Sequence, residues 1–164
     1  MTDTITKERR SWTMSRIRSK DTKPELLVRK YLFSRGLRFR VNVSRIPGHP
    51  DIVLTKYNAL IEVRGCFWHR HEGCATVTSP KSHVRFWREK FKRNVARDKL
   101  HEEQWAAAGW RVFIIWECEL RPFVREITLA KLYAEIVGNA AFAYANDEPA
   151  AIPLAAETTA EYKA

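Results

Sequence analysis

The sequence predicts a single α/β (α+β) domain, a mixed central β-sheet flanked by helices. Three observations predict it. The chain has 164 residues, 45% of them apolar, which suits one packed core. Two short β-rich runs, DIVLT (51–55) and ALIEV (59–63), are separated only by KYN and read as a hairpin. A nearly continuous apolar run, WRVFIIW (110–116), follows a long helical stretch and suits a buried central strand.

The elements follow in order. Residues 5–18 form a basic, weakly amphipathic helix. In DTKPELLVRKYLFSRG, Thr22 with Glu25 three positions on is a capping-box pattern, and Pro24 sits in the first turn, where proline is tolerated. Leu26, Leu27, Val28, Tyr31 and Leu32 supply the apolar face, and Gly36 the stop. LRFRVNV (37–43) alternates apolar and basic residues, as a half-exposed strand should. SRIPGHP is a turn into the hairpin, and a loop follows the second hairpin strand. A long helix, or two, covers 82–108 up to Gly109, and another covers 123–138. The order is helix, helix, strand, strand, strand, helix, strand, helix. Residues 1–20 read as an N-terminal arm, 21–140 as the domain and 141–164 as an Ala-, Glu- and Pro-rich tail.

Composition narrows the functions. No apolar run approaches the roughly 20 residues that span a bilayer, and MTDTITKERRSW lacks a secretory core, so a soluble cytoplasmic protein is expected. The net charge is +10, and residues 1–45 carry thirteen Lys/Arg against four Asp/Glu. A basic front on a small domain points to a polyanion, most often nucleic acid, rather than to a merely solvated face. The three cysteines, Cys66, Cys74 and Cys118, do not make a disulfide framework.

Two motifs carry chemistry. Cys66, His71 and Cys74 share one short loop, and Cys118 lies just past the third apolar run; Cys3His is a common tetrahedral zinc set. With four ligands filled the ion would be structural. The competing reading is that the cysteines are small core residues. The second motif is Pro50-Asp51, then Glu62-Val63-Arg64. Two carboxylates on adjacent strands could hold a hard cation such as Mg²⁺, and Glu62 and Arg64, two apart, face the same side. A cation at Arg64 could stabilise charge on a phosphate. Taken singly, each of these triplets also occurs on ordinary strands. Phe67, Trp68 and Trp87, set among basic residues, suit stacking on or wedging between bases, although a single Trp is more often core.

GCFWHxH…C, the upstream PGxPDIVL, RNVARD (93–98) and GWRVFIIWEC (109–118) together resemble the very-short-patch (Vsr) mismatch repair endonucleases over about residues 10–120. The resemblance implies a restriction-endonuclease-like fold. It implies a bacterial, nucleoid-associated monomer acting on double-stranded DNA, with room for mismatch-repair partner proteins. The activity would be Mg²⁺-dependent nicking 5′ of the T in a T:G mismatch. It assigns Mg²⁺ to Asp51 and the Val63 carbonyl, the general base to His69 with Asp98 beside it, and a place near the site to Glu25. It assigns Zn²⁺ to Cys66, His71, Cys74 and Cys118, and DNA contact to Met14, Phe67, Trp68 and Trp87. Asn94, inside RNVARD, joins the DNA-contact set.

The sequence departs from the family pattern at three places. Arg64 stands where the family has a histidine, Glu62 where members often have an apolar residue, and Gly73 adds one position between His71 and Cys74. Glu62 is therefore expected to add a carboxylate to the Mg²⁺ site. Two alternatives remain open on sequence: a PD-ExK-type nuclease cutting matched DNA, and a zinc-stabilised DNA-binding module without catalysis.

Overall fold

A computed structural model describes residues 6–16, 18 and 20–143. Helix α1 (Lys7–Ser15) starts at Thr6, whose hydroxyl accepts from Arg9 N at 3.3 Å. Helix α2 (Lys23–Ser34) follows, and Gly36, at φ +84°, turns the chain out of it with Leu37 N donating to Leu32 O at 3.1 Å. Strand β1 (Ile52–Leu54), a 3-10 turn and strand β2 (Ala59–Arg64) form the expected hairpin, closed at Asn58 in the left-handed region. The one-turn helix α3 (Cys66–His69), the long helix α4 (Val84–Ala107), strand β3 (Arg111–Trp116), a second 3-10 turn (Glu117–Leu120) and helix α5 (Arg125–Ala143) complete the order.

The sheet order is β1-β2-β3, with β1 antiparallel to β2 and β2 parallel to β3. Alternation then sorts the side chains into two cores. Ile52, Leu54, Ala59 and Ile61 pack with Val28 and Leu32 of α2 and Leu129, Leu132 and Ile136 of α5. Val53 and Leu60 pack on the opposite face with Trp105 of α4. Glu62 and Arg64 share the parity of Leu60, so they leave β2 on the α4 side.

Two expectations about strands are corrected. Residues 37–43 make a single bridge, Arg40 to Val53, not a strand; Asn42, at φ +47°, breaks the extension. Strand β3 is an edge strand of the described sheet, not a central one. Its apolar residues are covered by helices: Ile115 belongs to the α2/α5 core, and Val112 packs with Trp105. Helix α5 also runs three residues past the expected start of the tail at 141, and residues 144–164 lie outside the described residues. Among the described residues no helix is long and apolar enough to cross a membrane.

Candidate active site

A cleft of about 890 Å³ opens where the β2 end, α2, α3 and α4 meet. Glu25, Asp51, Glu62, Val63, Trp68 and His69 all line it. Arg16 and Arg18, just past α1, line its rim, so the basic arm borders the acidic floor.

The floor is a set of carboxylates. Asp51 Oδ2 accepts from Val63 N at 2.8 Å across the hairpin. Burial, with Glu25 and Glu62 nearby, raises Asp51 to about 7, although the Val63 N–H and Arg29 work against it. Glu25 is buried at 4% exposure. Its Oε1 accepts from the Thr22 hydroxyl at 2.7 Å and its Oε2 from Asp21 N and Arg29 Nη2, both at 3.0 Å. The capping box is thus altered: Thr22 caps α2, and Glu25 accepts from the Thr22 hydroxyl, but the backbone N–H it takes is that of Asp21 rather than that of Thr22. Arg29, missed on sequence, also pairs with Asp21 and donates to Asp51 O at 3.3 Å.

His69, at the end of α3, lines the same cleft. Its Nδ1 lies 2.6 Å from Asp98 Oδ2 of α4, and Asp98 is 4% exposed. Burial alone would raise Asp98, yet the His69 bond and the charges of His69, Arg64 and Arg97 hold it below the usual carboxylate range. An ionised Asp98 fixes the tautomer with the proton on Nδ1, which leaves Nε2 as the basic nitrogen.

Arg64 does not line the cleft. It is 6% exposed and pairs with Glu62 at 2.5 Å and with Glu102 of α4 at 2.6 Å. These two carboxylates raise its pKa despite burial. Arg64 and Glu62 leave β2 on the same face, and α4 covers Arg64 there through Glu102.

The ligand atoms of Cys66, His71, Cys74 and Cys118 lie within 4.8 Å of one another. His71 Nδ1 is 3.3 Å from Cys118 Sγ and 3.8 Å from Cys66 Sγ. Ligands of a tetrahedral ion at bonds of about 2.0–2.3 Å sit about 3.5–3.8 Å apart, so the set fits one zinc-sized ion. The Thr76 hydroxyl and N–H lower Cys74 to about 6, while burial and the neighbouring sulfurs push Cys118 up to about 12. Charge settled on one sulfur thus opposes the next, which is the condition a cation relieves. The His71 ring stacks on Trp116, 4.1 Å away and 4° from parallel.

Phe67, Trp68 and Trp87 are half-buried and form an edge-to-face cluster with Phe91, Phe67 lying 5.0 Å from Trp68 and 5.6 Å from Trp87. Only Trp68 of the three lines the cleft, with Lys90 Nζ 5.2 Å from its ring. Asn94 lines the cleft too, and its Nδ2 donates to Trp68 O at 3.1 Å, so it braces α3. Met14, 40% exposed on α1, is not part of the cleft wall.

A family model described as DNA mismatch endonuclease Vsr matches residues 2–75. The Type II nicking enzyme V.NmeAIP of Neisseria meningitidis is 47% identical over 121 residues, 74% of this chain and 86% of that protein. The Type II nicking enzyme V.XorIIP of Xanthomonas oryzae is 47% identical over 120 residues, 73% of this chain and 88% of that protein. The DNA mismatch endonuclease Vsr of Escherichia coli is 40% identical over 121 residues, 74% of this chain and 77% of that protein.

Proposed function

We propose, because this chain belongs to the Vsr family of DNA mismatch endonucleases and is a DNA endonuclease, that it nicks one strand 5′ of the T in a T:G mismatch. The observation that carries the reading is His69, bonded to the buried Asp98 at 2.6 Å and lining the same cleft as Asp51 and Glu62.

Asp51, the Val63 carbonyl and Glu62 would hold a divalent cation, Mg²⁺ by the hardness of an all-oxygen set. Burial first, and Glu25 and Glu62 next, disfavour charge on Asp51, a condition that such an ion would relieve. When bound, it supplies Lewis-acid stabilisation of charge on the scissile phosphate. His69 does the proton work: Asp98 holds Nδ1–H, and Nε2 takes the proton of the attacking water. Cys66, His71, Cys74 and Cys118 would hold zinc, fixing the turn that carries Trp68 and His69. Trp68, with Phe67 and Trp87 behind it, would press on the mispaired step, where unstacking costs least. Arg16, Arg18 and Lys90 would meet the phosphates from the rim. The protein would work as a cytoplasmic, nucleoid-associated monomer.

Glu62 favours one second reading, a PD-ExK-type nuclease that cuts matched DNA. Arg64, which stands where that motif has its lysine, weighs against it: it is bound under α4 and does not line the cleft.

The deciding assay is nicking with Mg²⁺ of end-labelled duplexes carrying T:G in several flanking contexts, beside T:A and C:G twins. A nick 5′ of the mispaired T, with the twins intact, supports the repair reading. Cutting of all three would replace it with the general nuclease.

A further inference from the structure

Arg64 is a buried cation whose head is fully engaged by carboxylates. Its Nε and Nη2 both donate to Glu62 Oε2, at 2.8 and 2.5 Å, and its Nη1 lies 2.6 Å from Glu102 Oε1. Both bonds to Glu62 fall on the one oxygen, and neither engages Oε1. Glu62 lines the cleft; Arg64 and Glu102 do not. Glu102 is therefore one step removed from the cleft, in contact with a residue that grips one of its carboxylates.

We propose that Glu102 is a positioning residue for the cation of the cleft. By occupying Nη1 it holds the guanidinium side-on to Glu62, so that Arg64 uses only one Glu62 oxygen and leaves the other as a metal donor. Without Glu102 the buried guanidinium loses half of its compensating charge. Its fork then turns to the two-oxygen pairing that arginine prefers with a carboxylate. Glu62 is thereby withdrawn as a ligand although nothing in the cleft has been mutated. The inference rests on the reading of this cleft as a divalent-cation site and deepens it.

The test is calorimetric titration of the zinc-loaded protein with Mn²⁺, for the wild type, Glu102→Ala, Glu102→Asp and Glu103→Gln. Glu103 is an exposed neighbour on the same helix, so its variant removes a charge without touching Arg64. Loss of a group that orients a metal ligand typically weakens metal binding about 10–100-fold, and that loss is expected for Glu102→Ala. Glu102→Asp should recover part of it, and Glu103→Gln should stay close to the wild type. In nicking assays Glu102→Ala should need more Mg²⁺ for half-maximal rate, while kcat at saturating Mg²⁺ and KM for DNA are kept. Unchanged Mn²⁺ affinity in Glu102→Ala overturns the proposal, as does an equal loss in Glu103→Gln, which would reduce the effect to a general field. A wild type that binds no Mn²⁺ overturns it too. If Mn²⁺ binds and Glu102→Ala weakens it, yet the T:G duplex stays uncut, the proposal stands and the nicking reading falls.

Discussion

Asp51→Asn should make the Mg²⁺-free protein more stable at neutral pH while abolishing nicking. The native carboxyl titrates at about 7 and the unfolded one at 3.8, chiefly because burial beside Glu25 and Glu62 disfavours its charge. Between those two values the folded state keeps a proton that the unfolded state has released, so stability falls as pH rises from 3.8 and levels off above 7. At about 1.4 kcal/mol for each tenfold change in proton affinity, the full cost is roughly 4 kcal/mol, of which roughly 3 falls between pH 5 and 8.5. Asparagine carries no such charge, and its amide oxygen can still accept from Val63 N. Urea unfolding of the zinc-loaded, Mg²⁺-free proteins at pH 5 and 8.5 measures the difference. At an m-value of about 2 kcal/mol/M, the midpoint gap between variant and wild type should widen by about 1–1.5 M. Added Mg²⁺ should restore the wild type at pH 8.5 by mass action and leave the variant unmoved. A gap that does not change with pH would refute the reasoning, because it would mean that Asp51 is ionised in the folded state throughout.

Three further outcomes are expected. His69→Ala should lower the nicking rate by about 10²–10⁴-fold with T:G duplex binding retained, as seen by comparing single-turnover rates with gel-shift affinities. Cys118→Ser should drop bound zinc below one ion per chain by elemental analysis and open residues 70–80 to limited proteolysis, since three local ligands no longer reach a fourth. Gly48→Ala should cost about 2 kcal/mol by urea unfolding, because an added Cβ would sit 2.4 Å from His101 Nδ1 and φ is +75°. Adding His101→Ala should recover the contact but leave the about 1–2 kcal/mol of left-handed backbone strain.

The sequence made some of this arrangement legible and hid the rest, for physical reasons. The hairpin follows from alternation and a short connection, both local properties, whereas the family resemblance alone names Val63 beside Asp51. The four zinc ligands could be collected because cysteine is scarce in this chain, although nothing local showed that Cys118 would arrive beside His71. Arg64 is the instructive case. Its parity on β2 was readable, but its partner Glu102 lies on a helix whose docking no spacing encodes. A cation that looked available for phosphate is therefore already spent on carboxylates. Arg29, Lys90 and Arg97 escaped notice in the same way, each one basic residue among many until the fold brought it to the cleft or its acids. Residues 37–43 had the right alternation, but a strand also needs an uninterrupted partner edge, and Asn42 bends the chain away from β1.

The parallel pairing of β2 with β3 has a consequence for the order of assembly. Parallel strands end at the same edge, so the chain leaving Arg64 toward Cys66 and the chain leaving Trp116 toward Cys118 emerge side by side. A folding chain can offer a metal Cys66, His71 and Cys74 from one short segment, but it can offer the fourth sulfur only after α4 has carried β3 back into register. Tight capture is thereby tied to the slowest, least local contact in the sheet. The release of zinc from a colorimetric chelator to the refolding chain thus works as a clock for strand pairing, with the half-built site holding the ion loosely until the last strand arrives.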